Sequence, residues 1–248
     1  MINGKNQFTN FKIHTQYSLC EGAIKIEELA NYCKENKIKA VGLSDSLNLC
    51  GALEFSEKIS KAGTQPIIGT QINFKYSDTI GKLPIFAKTE RGYGNLVKLS
   101  SKSFLETNSN DIPHCSIEEL LKNSKDVLVL SGGIDSLFFN LLQKNKIKQV
   151  DLLAAKLNQI FSDSFYFEIQ RHNDKSEKRL ENVFLDLSNK NNIPLIASQE
   201  VFYIDQDMYE AHDALLCIGE KTYIDENNRK KYTDQHYFKS SDEMNKLY

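Results

Sequence analysis

The stretch Ile13–Phe55 reads IHTQYSLCEGAIKIEELANYCKENKIKAVGLSDSLNLCGALEF and carries the strongest indication of the fold class. A run over Ala23–Glu35 carries apolar residues at the helical period. An apolar segment, Lys39–Ser44, follows and ends at Asp45, and a second helical pattern begins near Gly51. Together with a short strand before the first helix, these segments predict a βαβα unit.

Polar side chains follow both strands of this unit. His14, Thr15, Ser18 and Glu21 come after the first strand, and Asp45 comes after the second. In parallel α/β units, ligands bind at the carboxyl ends of the strands. The stretch therefore predicts the rim of a binding or active site.

The rest of the chain continues the alternation of strands and helices. Pro66–Phe74 and Leu83–Ala87 predict strands separated by a turn over Lys75–Gly81, which fits either a hairpin or two neighbouring strands. Pro194–Ser198 predicts a short buried strand. Helices are expected over residues 51–61, 90–104, 135–144, 147–161, 174–191 and 206–217. The pattern predicts one α/β domain with a largely parallel sheet.

Composition narrows the class of protein. Hydrophobic residues make up 40% of the 248 residues, and the formal net charge is −2, so there is no basic excess that would favour nucleic-acid binding. The five cysteines lack CxxC spacing, which disfavours a disulfide framework and a zinc ribbon. Residues 1–8 are a polar lead-in without a signal segment, and no run reaches transmembrane length. We predict a cytoplasmic protein without a membrane partner.

A family resemblance rests on two motifs, H-T-x-[YF]-S-L-x-[DE]-G from His14 and L-[ST]-D-x-x-N-L-x-G from Leu43. They resemble the opening of the PHP (polymerase and histidinol phosphatase) domain, and more narrowly the N-terminal PHP domain of the bacterial DNA polymerase III alpha subunit, the C-family replicative polymerase. The resemblance continues through Pro66–Gly69, Arg91–Leu96, Leu130–Gly132, Glu168–His172, Glu210–Cys217 and Lys239–Met244.

The resemblance implies a fold and a domain extent. PHP domains are distorted seven-stranded β/α barrels. We therefore expect residues 1–248 to form a single PHP domain. Its core barrel would cover about residues 8–232, and residues 233–248 would begin the connection to a polymerase region.

Active PHP domains hold two or three metal ions with His, Asp, Glu and Cys ligands, and such a cluster generates hydroxide and clamps a phosphoester. By this resemblance, four ligands survive: His14, Glu21, Asp45 and Glu200. The other ligand positions are occupied by Lys12, Ser46, Gln71, Lys82, Gly133 and Phe202.

These substitutions predict a remnant pocket formed by Lys12, His14, Glu21, Asp45, Gln71 and Glu200. Because a cation, an amide, glycine and an apolar ring are poor substitutes for ligands, we expect no catalytic metal cluster, and at most one weakly held ion. Lys12 is instead expected to pair with Glu21, Asp45 or Glu200.

The resemblance implies a role within a replicative DNA-directed DNA polymerase. The polymerase active site, its Mg²⁺, and the contacts with DNA and the sliding clamp would lie in downstream regions of the chain. This part would serve as a scaffold and as a docking domain for the proofreading exonuclease subunit. The alternative is a metal-dependent PHP phosphoesterase or 3′–5′ exonuclease, which requires the metal cluster. A third interpretation is an interaction module without chemistry.

Other polar residues have simpler interpretations. His172 fits either the pocket or a surface loop, and His212 fits a hydrogen-bonded structural histidine. His114 and His236 lie in polar segments and are expected to be exposed. Ser131–Gly133 predicts a strand-to-helix turn rather than an anion site, because glycine-rich phosphate-binding spacing is absent.

Overall fold

A computed structural model describes residues 7–248, so residues 1–6 of the predicted polar lead-in lie outside the described residues. Contacts divide the described chain into two compact units. The first unit comprises residues 7–43, 50–67 and 199–248, and the second comprises residues 44–49 and 68–198. Two strands pass from one unit into the other.

The strands within the described residues are β1 (Lys12–Ile13), β2 (Ala40–Ser46), β3 (Gln65–Tyr76), β4 (Thr79–Ala87), β5 (Cys115–Ser116), β6 (Val127–Leu130), β7 (Phe165–Ile169), β8 (Leu195–Ala197) and β9 (Glu200–Val201). The helices are α1 (Ile26–Glu35), α2 (Ala52–Lys61), α3 (Glu90–Leu105), α4 (Ile117–Lys122), α5 (Leu137–Gln143), α6 (Ile147–Phe161), α7 (Lys175–Asn191), α8 (Tyr209–Glu220) and α9 (Ser241–Leu247).

In the first unit, β1 lies between β2 and β9, and both pairings are parallel. Lys12 of β1 is the register partner of Glu200 of β9, so two residues far apart in sequence become neighbours. Helix α1 buries one face, formed by Ile26, Leu29 and Cys33, because its apolar residues recur at the helical period. This unit therefore places β1 and β9 side by side with their carboxyl ends at one edge.

In the second unit, the strand order is β8-β7-β6-β4-β3, with β5 paired to β3. Strands β6, β7 and β8 are parallel, whereas β4 is antiparallel to both of its neighbours. The core contains stacked phenylalanines, with the rings of Phe167 and Phe184 4.6 Å apart and Phe138 packed edge-on against both. The α/β class with mostly parallel pairing confirms the expected fold class.

Of the two arrangements left open for the strands around Lys75–Gly81, the hairpin is the one that forms. Two local details were predicted wrongly. The turn of this hairpin is shorter than predicted and comprises only Ser77 and Asp78. Ser77 supplies the turn with a left-handed φ of 56°, a conformation that its residue type does not announce. The strand predicted as buried, β8, pairs only with β7 among the described residues, and this edge position leaves Leu195 41% exposed.

None of the helices formed by residues 7–248 combines the length and the apolar character that a transmembrane span needs.

Candidate functional site

The centre of the first unit is a buried charge cluster at the ends of β1 and β9. Lys12 Nζ lies 2.5 Å from Glu200 Oε2, and His14 Nε2 lies 2.6 Å from Glu200 Oε1. All three residues are buried. The sequence predicted that Lys12 pairs with one of three acids, and in the structure Glu200 is the acid that contacts Lys12.

Opposing effects act on the Glu200 carboxyl. Burial raises its pKa, because a charged group loses hydration. The Lys12 ammonium and the His14 hydrogen bond act in the other direction and outweigh burial, so the pKa lies well below the ordinary value of 4.5. Glu200 is therefore ionised in the folded protein and stabilised by a cation from the chain itself.

The His14 ring has contacts on both nitrogens and on its face. Nδ1 lies 3.2 Å from Ser18 Oγ, while Nε2 faces Glu200. The ring lies 4.6 Å from the ring of Phe202, centroid to centroid. A histidine that binds a metal needs an available nitrogen lone pair, and here the carboxylate and the hydroxyl occupy both positions.

Glu21 lies in the same unit and contacts a lysine from a late segment of the chain. Lys230 Nζ donates to Glu21 Oε1 at 3.2 Å, and Lys230 also lies 4.9 Å from the Tyr232 ring centroid. His212 Nε2 donates to the backbone oxygen of Glu21 at 2.7 Å. This surviving carboxylate is thus engaged by a second cation.

An aromatic and imidazole stack surrounds Phe202, the residue at a lost ligand position. His212 stacks on it at 5.3 Å, and burial lowers the pKa of His212, which agrees with the predicted structural histidine. The prediction that His236 is exposed was wrong. His236 is buried, its Nδ1 lies 3.3 Å from the Glu200 backbone oxygen, and its ring packs beside Phe202 and Tyr232.

Two predicted pocket residues, Asp45 and Gln71, belong to the second unit, and both are buried. Thr70 Oγ1 donates to the backbone oxygen of Asp45 at 2.8 Å, and the Leu47 N–H donates to the backbone oxygen of Gln71 at 2.8 Å. These bonds hold β2 and β3 in register where their polar side chains occur.

Two lost ligand positions of the second unit contact each other. Lys82 Nζ donates to Ser46 Oγ at 3.2 Å and pairs with Asp135 Oδ2 at 3.1 Å. The resemblance implies metal-binding residues at both positions 46 and 82. A second lysine ammonium therefore occupies a place where the family pattern has metal ligands.

A third lost position, Gly133, is filled by a neighbour. A Cβ atom at Gly133 would lie 2.1 Å from Gln170 Oε1, so no side chain fits there unless Gln170 moves. The space next to this lost ligand position is thus taken by an amide group.

Glu168 is a buried residue of the Glu168–His172 motif that was not predicted as a site residue. Its Oε2 accepts the Gly132 N–H at 2.7 Å, and its Oε1 accepts the Ser198 hydroxyl at 2.5 Å. The turn Ser131–Gly133 therefore carries an internal carboxylate at the N–H group where an anion could have bound, which agrees with the predicted turn. The sequence did offer a signal for this residue, namely a glutamate near the end of an otherwise uncharged strand segment.

His172 is buried, so the surface-loop interpretation was wrong. Its Nδ1 lies 2.5 Å from Glu177 Oε1, and its backbone N–H donates to Glu177 Oε2 at 2.7 Å. Both carboxylate oxygens of Glu177, from the first turn of α7, are thereby used in anchoring the end of the strand.

The divalent ions implied by the resemblance do not fit the residues present. In the first unit, the Lys12 ammonium lies against the Glu200 carboxylate that would have to bind a metal, and two cations repel at that distance. Within residues 7–248, no group of three or more His, Cys, Asp and Glu residues is arranged to hold a metal ion.

Comparisons with known proteins agree with the motif pattern. A family profile described as PHP domain matches residues 10–172. The DNA polymerase III alpha subunit of Caulobacter vibrioides is 33% identical over 97% of this chain and 22% of its own length, and that of Rickettsia prowazekii is 35% identical over 98% and 21%.

Among solved structures, a two-domain protein from Bacteroides vulgatus containing a predicted PHP-like metal-dependent phosphoesterase is similar at a TM-score of 0.49. It has 9% sequence identity, with 97% of this chain and 63% of that chain covered.

The buried ion pair predicts a strong dependence on Lys12. Lys12→Met leaves a buried carboxylate without its cation, so we expect the free energy of unfolding in urea to fall by about 3–5 kcal/mol. Lys25 pairs with Glu28 at 3.2 Å but is 70% exposed, so Lys25→Met should cost less than about 1 kcal/mol. Equal losses in the two variants would contradict the pairing.

The lowered pKa of Glu200 predicts a pH dependence. A depressed carboxyl pKa contributes stability above its unfolded value, near 4.5, and this stability is lost as the pH falls through the folded pKa. Below pH 4.5, stability should fall with pH more steeply in the parent than in Glu200→Gln, by up to about 1.4 kcal/mol per pH unit. Denaturant melts from pH 3 to pH 6 measure both slopes, and parallel slopes would count against the assignment.

Proposed function

The chain belongs to the PHP domain family, and on that premise we propose that it is the PHP domain of a DNA polymerase III alpha subunit whose hydrolase pocket has lost its metals. The chain spans about a fifth of the length of the alpha subunits that it matches. DNA synthesis and its Mg²⁺, DNA and clamp contacts would accordingly belong to other parts of such a protein. This domain would act as a scaffold.

The observation that carries the proposal is the contact between Lys12 and Glu200. Metal-dependent hydrolysis of a phosphoester needs a cation that polarises water and neutralises the phosphate. A lysine ammonium supplies a single charge without open coordination positions, so it can hold Glu200 in place but cannot generate hydroxide. The lysine would thus balance the charge of the carboxylate as a metal ion does, but the pocket would not hydrolyse a phosphoester.

The second unit supports the same interpretation independently. Lys82 bonds to Ser46 and Asp135, and Gln170 occupies the space beside Gly133. These contacts satisfy the polar groups and fill the volume that metals and their ligands would otherwise require. Three lost ligand positions of this unit, Ser46, Lys82 and Gly133, therefore have structural replacements within the unit.

A metal measurement tests the loss of hydrolysis. Protein purified without chelator should carry no more than about one equivalent of zinc, manganese and iron in total by plasma mass spectrometry, because too few ligands remain for a cluster. The same preparation should not degrade labelled single-stranded DNA with Mn²⁺. A paired-metal complement, or a nuclease activity that disappears in His14→Ala, would establish the phosphoesterase or exonuclease alternative.

We also propose that the domain docks the proofreading exonuclease subunit, which the resemblance to DNA polymerase III alpha subunits supports. The immobilised full-length chain should retain the purified exonuclease subunit of the same organism at physiological salt. A free-standing, metal-binding PHP phosphoesterase, immobilised in the same way, should not. Failure of both immobilised proteins to retain the exonuclease subunit would contradict the docking role. It would not contradict the proposed absence of metals from the pocket.

A further inference from the structure

A groove of about 330 Å³ lies in the first unit, between α1 and the single helical turn Gln206–Met208. We call it the α1 groove. Its lining includes Glu28, Tyr32, Glu35, Tyr203, Asp205 and Met208. None of the pocket residues predicted from the sequence lines this groove, so it is a feature separate from the buried charge cluster.

One wall is a stripe along α1. Glu28, Asn31, Tyr32 and Glu35 follow the spacing that places residues on one face of a helix. This face is opposite in character to the buried face of α1: Glu28, Asn31 and Glu35 are exposed, and Tyr32 is half-buried. The helix thus presents an aromatic ring between two carboxylates.

The other wall is formed by the segment that comes after β9 in the chain. It is mostly apolar and contributes one more carboxylate. Tyr203 and Ile204 lead into Asp205, and Met208 remains 42% exposed. Asp205 and Tyr32 both line the groove. Burial raises the pKa of the Tyr32 hydroxyl, and the Asp205 carboxylate raises it further. Aromatic and thioether surfaces therefore lie between acids on both walls.

The charge of the groove is of one sign. Three carboxylates and no Lys or Arg occur among its lining residues. In the described part of the chain, neither Glu35 nor Asp205 forms an ion pair, and Glu28 has only its exposed contact with Lys25. Such a surface repels phosphates and anionic lipid, and it attracts a cation that also has apolar surface to bury.

We propose that the α1 groove binds an arginine-bearing segment of a partner protein. The aliphatic stem and planar guanidinium of arginine fit along Tyr32 and Met208, where stacking and cation–π attraction act together. The guanidinium then meets the carboxylates of Glu28, Glu35 and Asp205. An adjacent leucine of the partner covers the apolar wall at Ile204. The proposal does not depend on whether the pocket has lost its metals.

The test uses the full-length chain and a hexapeptide labelled with fluorescein on its terminal amine, fluoresceinyl-Gly-Arg-Leu-Arg-Leu-Gly-amide, with binding followed by fluorescence anisotropy at low salt. The matched probe has citrulline in place of both arginines, which keeps shape and removes charge. We expect saturable binding of the arginine peptide and at least about tenfold weaker binding of the citrulline peptide.

Variants assign the binding to this groove. Glu28→Gln, Glu35→Gln and Asp205→Asn combined should weaken arginine-peptide binding by about tenfold, whereas Glu57→Gln, an exposed acid on α2 outside the groove, should change it less than about twofold. Met208→Ala should also weaken binding without altering the net charge. Thermal unfolding confirms that each variant is folded.

Three results would overturn the proposal. The first is the absence of saturable binding of the arginine peptide up to about 1 mM. The second is equal affinity for the arginine and citrulline peptides. The third is unchanged affinity in the folded triple variant, which would place binding elsewhere on the protein.

Discussion

The first unit depends on the Lys12 ammonium, a cation that is part of the chain and therefore cannot dissociate from the site. Lys12 and Glu200 are buried register partners on β1 and β9, and each charge would be costly without the other. His14 bonds to the other carboxylate oxygen, so any movement of β1 against β9 would break two interactions with one group. The ion pair therefore fixes the pairing of the two strands as well as the charge of the pocket.

The second unit applies the same principle with different chemistry. Lys82 balances Asp135 and bonds to Ser46, whereas Gln170 fills space next to Gly133. In a metal-dependent domain, binding of the ion contributes to folding, and stability follows metal availability. If internal lysines and an amide replace the ions, as we propose, that linkage is removed. The domain would then keep its shape whatever the supply of metal.

Local features of this fold were predictable, and long-range ones were not. Helix α6 coincides with its predicted range, because its apolar period is set by neighbouring residues. The left-handed Ser77 and the edge position of β8 carried no residue-type signal, so the shortness of the hairpin turn and the exposure of Leu195 were missed. At the site, the pairing of Lys12 with an acid was predictable, but the identity of that acid was not, since β1 and β9 are far apart in sequence and become neighbours only in the fold. His236 was misjudged because its polar neighbours in sequence conceal its aromatic neighbours in space.

We propose that the Lys12 ammonium takes the place of a divalent ion that His14 and Glu200 would otherwise coordinate. Anomalous diffraction from crystals equilibrated with Mn²⁺ and Zn²⁺ examines this directly. We expect clear density for the lysine side chain against the Glu200 carboxylate and no anomalous peak between His14 and Glu200. An anomalous peak bonded to both residues, with Lys12 displaced from the carboxylate, would contradict it.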